Sequence, residues 1–411
     1  MTMRVLTFGW DYPPKRNGGL GVACFGLTRE LVTLDTNILF VLPKSQPTTG
    51  AGHFIFADTE EHIDIHTVPS SLQPYQSTSA MTHWYNAHGV KVQTGRTLLE
   101  EIFRYATAAR GIAQKETFDI IHAHDWTAYM AGVAAKQVSG KPLILHVHAT
   151  SFDQAASAHV DPVQYAIEQA AFSAADCVVA VSNLTRQLII EKYDVNPDKV
   201  EVVHNGADTF TPELHQPTMQ ELKNKGTKIV LYHGRITIQK GVDYFVTAAK
   251  RVLEVEPNVV FIISGWGDLE QQIMHQVAAA GLSGKVLFAG ALWEEERDRM
   301  YQSADLLVMP SVSEPFGLVP LEALQHGTPS LISKQSGVGE VMAHVLKVDF
   351  WDVDEMANQI VAALRYPALN RQLVTQGRFQ LPLLAWRHAA IKLREMYERL
   401  VHLGGKEVWS E

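Results

Sequence analysis

The chain has 411 residues, which is too long for one ordinary hydrophobic core, so two domains are expected. Its composition, with 46% hydrophobic and 19% charged residues, is that of an ordinary globular protein. The formal net charge of −9 argues against a general nucleic-acid-binding protein, because such proteins usually present a basic surface.

The cysteines and the lack of long apolar runs bear on location. Cys24 and Cys177 lie in apolar surroundings and are expected to be buried and unpaired, as in a reducing compartment. No apolar run reaches about eighteen residues, so no transmembrane segment is predicted. The N-terminus is too short and strand-like for a signal peptide. We therefore expect a cytoplasmic protein, and peripheral contact with a membrane stays open.

The first half of the chain alternates short apolar runs with helical patterns, which predicts a parallel sheet covered on both faces. Strands are predicted at 5–8, 38–42, 119–122, 143–148 and 177–181, and helices at 21–33, 97–114 and 127–138. The segment 51–95 is less regular and rich in His, Thr and Ser, and we interpret it as a hairpin or loop excursion.

The alternation restarts after a strand at 200–203 and a polar segment at 211–226 that is interpreted as a hinge. Strands and helices are then predicted at 228–232, 242–254, 259–264, 269–280, 286–289 and 305–309. The predicted fold class is α/β, with two Rossmann-like doubly wound domains, at 1–207 and 208–385, that face each other across a cleft. An amphipathic helix within 386–411 is expected to pack back on the first domain. Ligands of such sheets bind at the carboxyl ends of the strands.

A glycine pair follows the first predicted strand. Gly18 and Gly19 have no Cβ, so their backbone amides can approach an anion. A plain flexible loop is the alternative interpretation. The spacing is not that of a dinucleotide-binding fingerprint.

Histidines recur at alternate positions of two predicted strands, as His122 with His124 and His146 with His148. A metal pair is conceivable, but no carboxylate or cysteine completes it at a recognisable spacing, and a hydrogen-bonded histidine at a strand end is the alternative. His148 lies nearest the cleft. Asp125 and Trp126, which follow the first of these pairs, suit a sugar better than a metal. An indole face stacks on pyranose C–H groups, and a carboxylate accepts hydrogen bonds from hydroxyls.

Two cations follow the first strand of the second domain. Arg235 and Lys240 are close enough in sequence to converge on one diphosphate, the first as a bidentate fork and the second as a point charge. A solvated loop that carries two cations is the alternative. Gly265 belongs to a Gly-x-Gly turn after the next strand, where it could admit a nucleotide against the backbone, although such turns more often bind nothing.

The most informative motif lies between a predicted strand at 305–309 and a helix that ends at Gly327. Glu314 is expected in the loop and Glu322 in the helix, so their carboxylates can face different parts of one ligand. The backbone amides at the start of that helix attract anions.

These motifs resemble those of the retaining glycosyltransferases of family 4, which have the glycosyltransferase B fold, and the chain is similar to the glycogen and starch synthases. Its most specific element is Glu-Pro-Phe-Gly-Leu-Val-Pro-Leu-Glu at 314–322. The resemblance implies a metal-independent hexosyltransferase without a cofactor. The donor would be a nucleoside diphosphate sugar, with ADP-glucose or UDP-glucose favoured. The acceptor would be a hydroxyl of a carbohydrate, such as an α-glucan, or of another molecule.

The resemblance also implies residue roles. Arg235 and Lys240 would bind the donor diphosphate, Glu314 the hydroxyls of the donor sugar and Glu322 those of the ribose, while His148 would lie near the reacting carbon. Further donor contacts would come from Gly18, Gly19, Phe316, Gly317 and Leu318, and Asp125 and Trp126 would lie on the acceptor side.

The chain departs from the starch synthases at one motif. They have a lysine two residues before the glycine pair, whereas Lys15 lies three residues before Gly18 here. Two other functions stay open: a sugar-nucleotide epimerase with the same architecture, and a non-catalytic protein that binds sugar nucleotides.

Overall fold

The computed structural model describes residues 2–10, 12, 18–42, 63–67, 97–156, 159–208 and 219–402. Position 11, positions 13–17, most of segment 51–95 and positions 211–218 of the predicted hinge lie outside these residues. For β3, defined below, only the backbone is described.

The first domain is built on a parallel sheet. Its strands are β1 (Met3–Phe8), β2 (Thr36–Leu42), β3 (Ile63–Thr67), β4 (Ile120–His124), β5 (Leu143–Val147), β6 (Cys177–Ala180) and β7 (Val200–Val202). Their order is β3-β2-β1-β4-β5-β6-β7. The described helices are α1 (Gly19–Val32), α2 (Leu98–Lys115), α3 (Trp126–Ser139), α4 (Ser151–Ala155), α5 (Pro162–Ala174) and α6 (Asn183–Tyr193).

The second domain repeats this plan. Its strands are β8 (Lys228–His233), β9 (Val259–Ser264), β10 (Val286–Gly290), β11 (Leu306–Met309), β12 (Ser330–Ser333) and β13 (Leu346–Val348). Their order is β10-β9-β8-β11-β12-β13, and every recorded pairing is parallel. The helices are α7 (Gln220–Asn224), α8 (Val242–Val255), α9 (Glu270–Ala279), α10 (Glu294–Ser303), α11 (Val319–Gln325), α12 (Val353–Arg365), α13 (Pro367–Gln380) and the C-terminal α14 (Trp386–His402).

Both sheets are covered by helices, which explains why their central strands are continuous apolar runs. All residues of β5 and β9 are buried, including His146 and Ser264. The α/β class and the doubly wound plan of two parallel sheets are therefore confirmed. Among the described helices, none combines the length and the apolar character needed to cross a membrane.

The interpretation of 51–95 as a hairpin or loop excursion was wrong in its described part. Residues 63–67 form β3, an edge strand that pairs in parallel with β2, from Ile38 opposite Ile63 to Leu42 opposite Thr67. The rest of that segment lies outside the described residues. The strands β12 and β13 were not predicted, because each is only a few residues long and β12 has a serine at both ends.

The C-terminal helix α14 returns to the first domain. Backbone hydrogen bonds join Ala207 N to the Leu384 carbonyl at 2.7 Å and Trp386 N to the Ala207 carbonyl at 3.4 Å. The indole of Trp386 then packs on α1 at Gly26, where a Cβ would lie 2.4 Å from the ring. The first domain's packing therefore depends on a glycine in the middle of α1.

We expect Gly26→Ala to lower the free energy of unfolding by about 1–3 kcal/mol, because the added methyl group overlaps the indole of Trp386. Gly111→Ala in α2 is the matched control, since no atom lies within 4 Å of a Cβ there. It should stabilise by about 0.5–1 kcal/mol through helix propensity alone. Urea denaturation measures both, and equal stability of the two variants would contradict the packing described.

Candidate active site

A cavity of about 510 Å³ lies between the carboxyl edges of the two sheets and is lined by both domains. Most of the residues predicted from the sequence line it, namely Gly18, Gly19, His148, Arg235, Lys240, Gly265, Glu314, Phe316, Gly317, Leu318 and Glu322. Asp125 and Trp126 are not part of this lining.

An ion pair between Lys240 and Glu314 lies in the wall of the cavity. Lys240 ends a single 3₁₀ turn after β8, and Glu314 lies in the loop after β11. Because β8 and β11 are neighbours in the sheet, their carboxyl ends bring the two side chains together, with Nζ 2.6 Å from Oε2. Ser311 donates a second hydrogen bond to the same oxygen at 3.1 Å. Glu314 is only 9% exposed, so its carboxylate has these partners in place of water.

The loop that carries Glu314 is held by backbone hydrogen bonds on both sides. Glu314 N donates to the Gln335 carbonyl and Gly337 N donates to the Glu314 carbonyl, both at 3.0 Å. Gly317 adopts a φ of +96°, and a Cβ there would lie 2.9 Å from Met309 Cε. A glycine is therefore required where the chain turns from the loop into α11.

Glu322 lies in the first turn of α11, lines the same cavity and has a different partner from those of Glu314. It accepts a hydrogen bond of 2.8 Å from the hydroxyl of Tyr301 on α10. Burial raises the pKa of Tyr301 well above its ordinary value, and the charge of Glu322 adds to that shift. Burial alone would lower the pKa of Arg297, but Glu322 and Asp298 are among the neighbours that outweigh it and raise that pKa. Sequence reasoning missed Tyr301 and Arg297, because helix positions without a motif give no signal.

The first two loops of the second domain touch each other. A Cβ on Gly265, which has a φ of +139°, would lie 1.8 Å from the Gly234 carbonyl oxygen, so only glycine allows this contact. Arg235 follows Gly234 and donates to Gln239 Oε1 at 3.2 Å. Trp266 and Trp293 also line the cavity and are each 49% exposed. They give this end of the cavity two flat apolar surfaces that the sequence motifs did not reveal.

The first domain contributes the opposite wall. Gly18 and Gly19 lie where α1 begins, and a Cβ on Gly19 would lie 3.9 Å from Leu318 Cδ1 of the second domain. His148 and Asn205 complete this side. The glycine pair thus faces the Glu314–Glu322 loop across a narrow gap.

A stack of four histidines lies behind that wall and reaches the cavity at His148. It consists of His122 and His124 of β4, His146 of β5 and His148, which follows β5. His124 Nδ1 lies 3.0 Å from His148 Nε2, and His122 Nε2 lies 3.3 Å from His146 Nδ1. His122 Nδ1 also contacts the hydroxyl of Tyr397 on α14 at 2.6 Å. Burial lowers the pKa of His122 and of His148 to about 3, so both rings are neutral at physiological pH.

The stack contains two groups of side chains whose possible ligand atoms lie within 4.8 Å of one another: Cys24 with His124 and His148, and His122 with His124 and His146. In the second group the ring planes of His122 and His146 differ by only 11°, and lone pairs in nearly parallel planes do not converge on one ion. The nitrogens of His124 and His148, and those of His122 and His146, lie at hydrogen-bond distance, and we assign these rings as hydrogen-bonded neutral imidazoles.

Asp125 lies behind the strand ends and contacts protein groups. It is 3% exposed and has a φ of +66°, and its Oδ1 accepts a hydrogen bond of 3.3 Å from Ala149 N. Burial raises the pKa of Asp125 to about 7. Trp126 begins α3 and packs partly buried against the first core. Asp125 thus supports the His148 loop from behind, and the placement of both residues on the acceptor side stays a prediction.

Comparisons with known proteins agree with this architecture. The model of Glycosyltransferase Family 4 matches residues 17–210, and that of Glycosyl transferases group 1 matches residues 218–380. Glycogen synthase of Mycobacterium tuberculosis is 26% identical over 345 residues, which cover 83% of this chain and 80% of that protein.

Solved structures show the same fold. Sucrose-phosphate synthase of Thermosynechococcus elongatus aligns with a TM-score of 0.75 at 21% identity, covering 98% of this chain and 100% of that one. Anabaena HepE in complex with UDP and glucose aligns with a TM-score of 0.69 at 18% identity, covering 97% of this chain and 100% of that one. The family matches favour a glycosyltransferase over the epimerase and the non-catalytic binding protein.

The histidine stack predicts a loss of stability in mild acid. The folded chain keeps these rings neutral, whereas the unfolded chain takes up protons near pH 6.5. The contribution of these rings to the free energy of unfolding is complete above that pH. It decreases as the pH falls towards the pKa values of the folded chain, by about 1.4 kcal/mol per pH unit for each ring. We expect the free energy of unfolding to fall between pH 6.5 and 5, less steeply than the rings alone would give, because the raised pKa of Asp125 acts in the opposite direction over this range.

Urea denaturation of His146→Gln across this range tests the assignment. The variant should lose one ring's share of the slope, about 1.4 kcal/mol per pH unit. His388→Gln, which changes an exposed histidine of α14, is the control and should keep the slope of the natural chain. A slope that is the same for all three chains would contradict neutral buried rings.

Proposed function

The chain belongs to the glycosyltransferases with the glycosyltransferase B fold, and we propose that it transfers glucose from UDP-glucose or ADP-glucose to a carbohydrate hydroxyl. The observation that carries this proposal is the single cavity that gathers Arg235, Lys240, Glu314 and Glu322 at the carboxyl edge of the second sheet. Two cations and two carboxylates in one wall match the two phosphates and the two sets of hydroxyls of a sugar nucleotide.

The diphosphate would bind at Arg235 and Lys240. A phosphate oxygen competes with Glu314 for the ammonium group of Lys240, and this competition frees the carboxylate of Glu314 for the hydroxyls of the donor sugar. As the glycosidic bond breaks, negative charge builds on the diphosphate, and fixed cations stabilise it without rearrangement. With this charge balance we propose that transfer needs no divalent metal ion.

The nucleoside would lie at the other end of the cavity. Glu322, oriented by the Tyr301 hydroxyl, is placed to accept hydrogen bonds from the ribose. Trp266 and Trp293 offer flat faces on which a base can stack. Every base has such a face, so these residues are compatible with uracil and with adenine.

We propose that the donor sugar keeps its anomeric configuration. In the donor complex proposed here, Glu314 accepts hydrogen bonds from the sugar hydroxyls and from Ser311, and Glu322 is engaged by Tyr301 and the ribose, so neither of these two cavity carboxylates is left as a nucleophile for a double displacement. The acceptor hydroxyl would attack on the face from which the diphosphate leaves, and a phosphate oxygen of the leaving group would take its proton.

An α-glucan is the acceptor that we favour. The similarity to a glycogen synthase and the Glu314–Glu322 motif support this choice. The structural likeness to a protein that binds UDP and glucose is compatible with a glucose donor.

A panel of sugar nucleotides tests the proposal. We expect UDP-glucose or ADP-glucose to raise the free energy of unfolding most, by about 2.7 kcal/mol at a concentration one hundred times the dissociation constant. Glucose 1-phosphate, which lacks the nucleoside, is the control and should stabilise far less. With glycogen as acceptor, NMR of the early product should show the α-anomer in the presence of EDTA. A β-linked product would contradict retention, and stabilisation by no sugar nucleotide would contradict the function itself.

A further inference from the structure

A hydrogen bond crosses between the domains next to the Lys240–Glu314 pair. Ser313 precedes Glu314, and its hydroxyl donates to Asp153 Oδ1 of the first domain at 2.6 Å. Asp153 lies on α4, the short helix that follows β5 and His148. The contact therefore joins the loop that carries His148 to the loop that carries Glu314.

The side chain of Asp153 is also held by hydrogen bonds within the first domain. Its Oδ2 accepts hydrogen bonds from the backbone N and the hydroxyl of Thr150, each at 2.8 Å, in the capping box that begins α4. This arrangement directs Oδ1 at the second domain. Asp153 is 3% exposed, so Ser313 satisfies an oxygen that water hardly reaches.

Ser313 also contacts the loop of its own domain that carries Lys240. The Gln239 carbonyl accepts hydrogen bonds from Val312 N at 2.9 Å and from Ser313 N at 3.4 Å. Gln239 directly precedes Lys240. A displacement of Ser313 would therefore move the backbone beside both members of the Lys240–Glu314 pair.

We propose that the Ser313–Asp153 hydrogen bond is a clasp that fixes the His148 loop against the Lys240–Glu314 pair, so that Ser313 and Asp153 are positioning residues for transfer. The inference rests on the proposed function for its catalytic consequence. Small displacements of reacting groups slow an enzyme strongly, and closure around the donor excludes water. Loss of the clasp should therefore lower turnover and admit water as a competing acceptor.

A second polar contact between the domains provides the matched control. Glu340 accepts hydrogen bonds from Asn183 N at 2.9 Å and Leu184 N at 3.0 Å, and His204 Nε2 lies 2.7 Å from its carboxylate. None of these four residues lines the cavity. Glu340→Gln thus weakens the domain contact without touching the clasp.

The test compares Ser313→Ala with Ser313→Thr, which keeps the hydroxyl, and with Glu340→Gln. With UDP-glucose or ADP-glucose and glycogen, we expect Ser313→Ala to lower kcat about tenfold, with the donor KM changed less than about twofold, and to raise the ratio of donor hydrolysis to transfer. Ser313→Thr and Glu340→Gln should keep kcat within about threefold of the natural chain. An unchanged kcat in Ser313→Ala, or an equal loss in Ser313→Thr, would overturn the clasp.

Hydrogen–deuterium exchange tests the clasp independently of the proposed function, because the measurement needs no donor. In the free protein, Ser313→Ala should speed amide exchange in both 148–156 and 311–317, while Ser313→Thr should not. Exchange that changes in 311–317 alone would mean that the contact does not couple the domains. Faster exchange in both segments, combined with no turnover of any sugar nucleotide, would uphold the clasp and reject the proposed function.

Discussion

The ion pair between Lys240 and Glu314 links the parts of the molecule on which the site depends. It joins the loop after β8 to the loop after β11, and these strands are neighbours at the centre of the second sheet. Parallel strands place such loops at one edge, and the two doubly wound sheets direct their carboxyl edges at a shared cavity. A cation and a carboxylate that are 74 residues apart in sequence therefore lie 2.6 Å apart. The same edge carries Arg235 and Glu322, so the loops of one sheet supply four charged residues of the cavity wall.

The first domain supports the site through buried polar groups. Asp125 accepts a hydrogen bond from Ala149 N, and Asp153 fixes Thr150 at the start of α4, so two carboxylates hold the short segment after His148. The histidine stack continues this support back to Tyr397 on the returning helix. Burial keeps these rings neutral, so the histidine stack itself adds no charge beside the cavity.

The sequence was sufficient to predict the strands and helices that have strong hydrophobic patterns and to locate the loops between them. Apolar runs such as β9 were recognised because both faces of the sheet are covered, and most of the cavity-lining candidates were recognised because they follow strands. The edge strand β3 was missed since only five residues of it stand in a polar segment, and β12 was missed since the buried serines at its two ends leave only two apolar residues between them. Contacts between residues that are distant in sequence leave no mark in the local sequence pattern, as for Tyr301 with Glu322 and Ser313 with Asp153. The placement of Asp125 beneath a loop likewise depends on the register of β4 with β5.

In the proposed function, Glu314 and Glu322 bind different parts of one donor, Glu314 its sugar and Glu322 its ribose. Steady-state kinetics of Glu314→Gln and Glu322→Gln with the donor selected by the panel tests this division. Charge develops at the sugar only in the transition state, so Glu314→Gln should lower kcat about 100-fold with the donor KM changed less than about threefold. The ribose is bound equally in both states, so Glu322→Gln should raise the donor KM about tenfold with little loss of kcat. Equal effects of the two substitutions on kcat and KM would contradict the division.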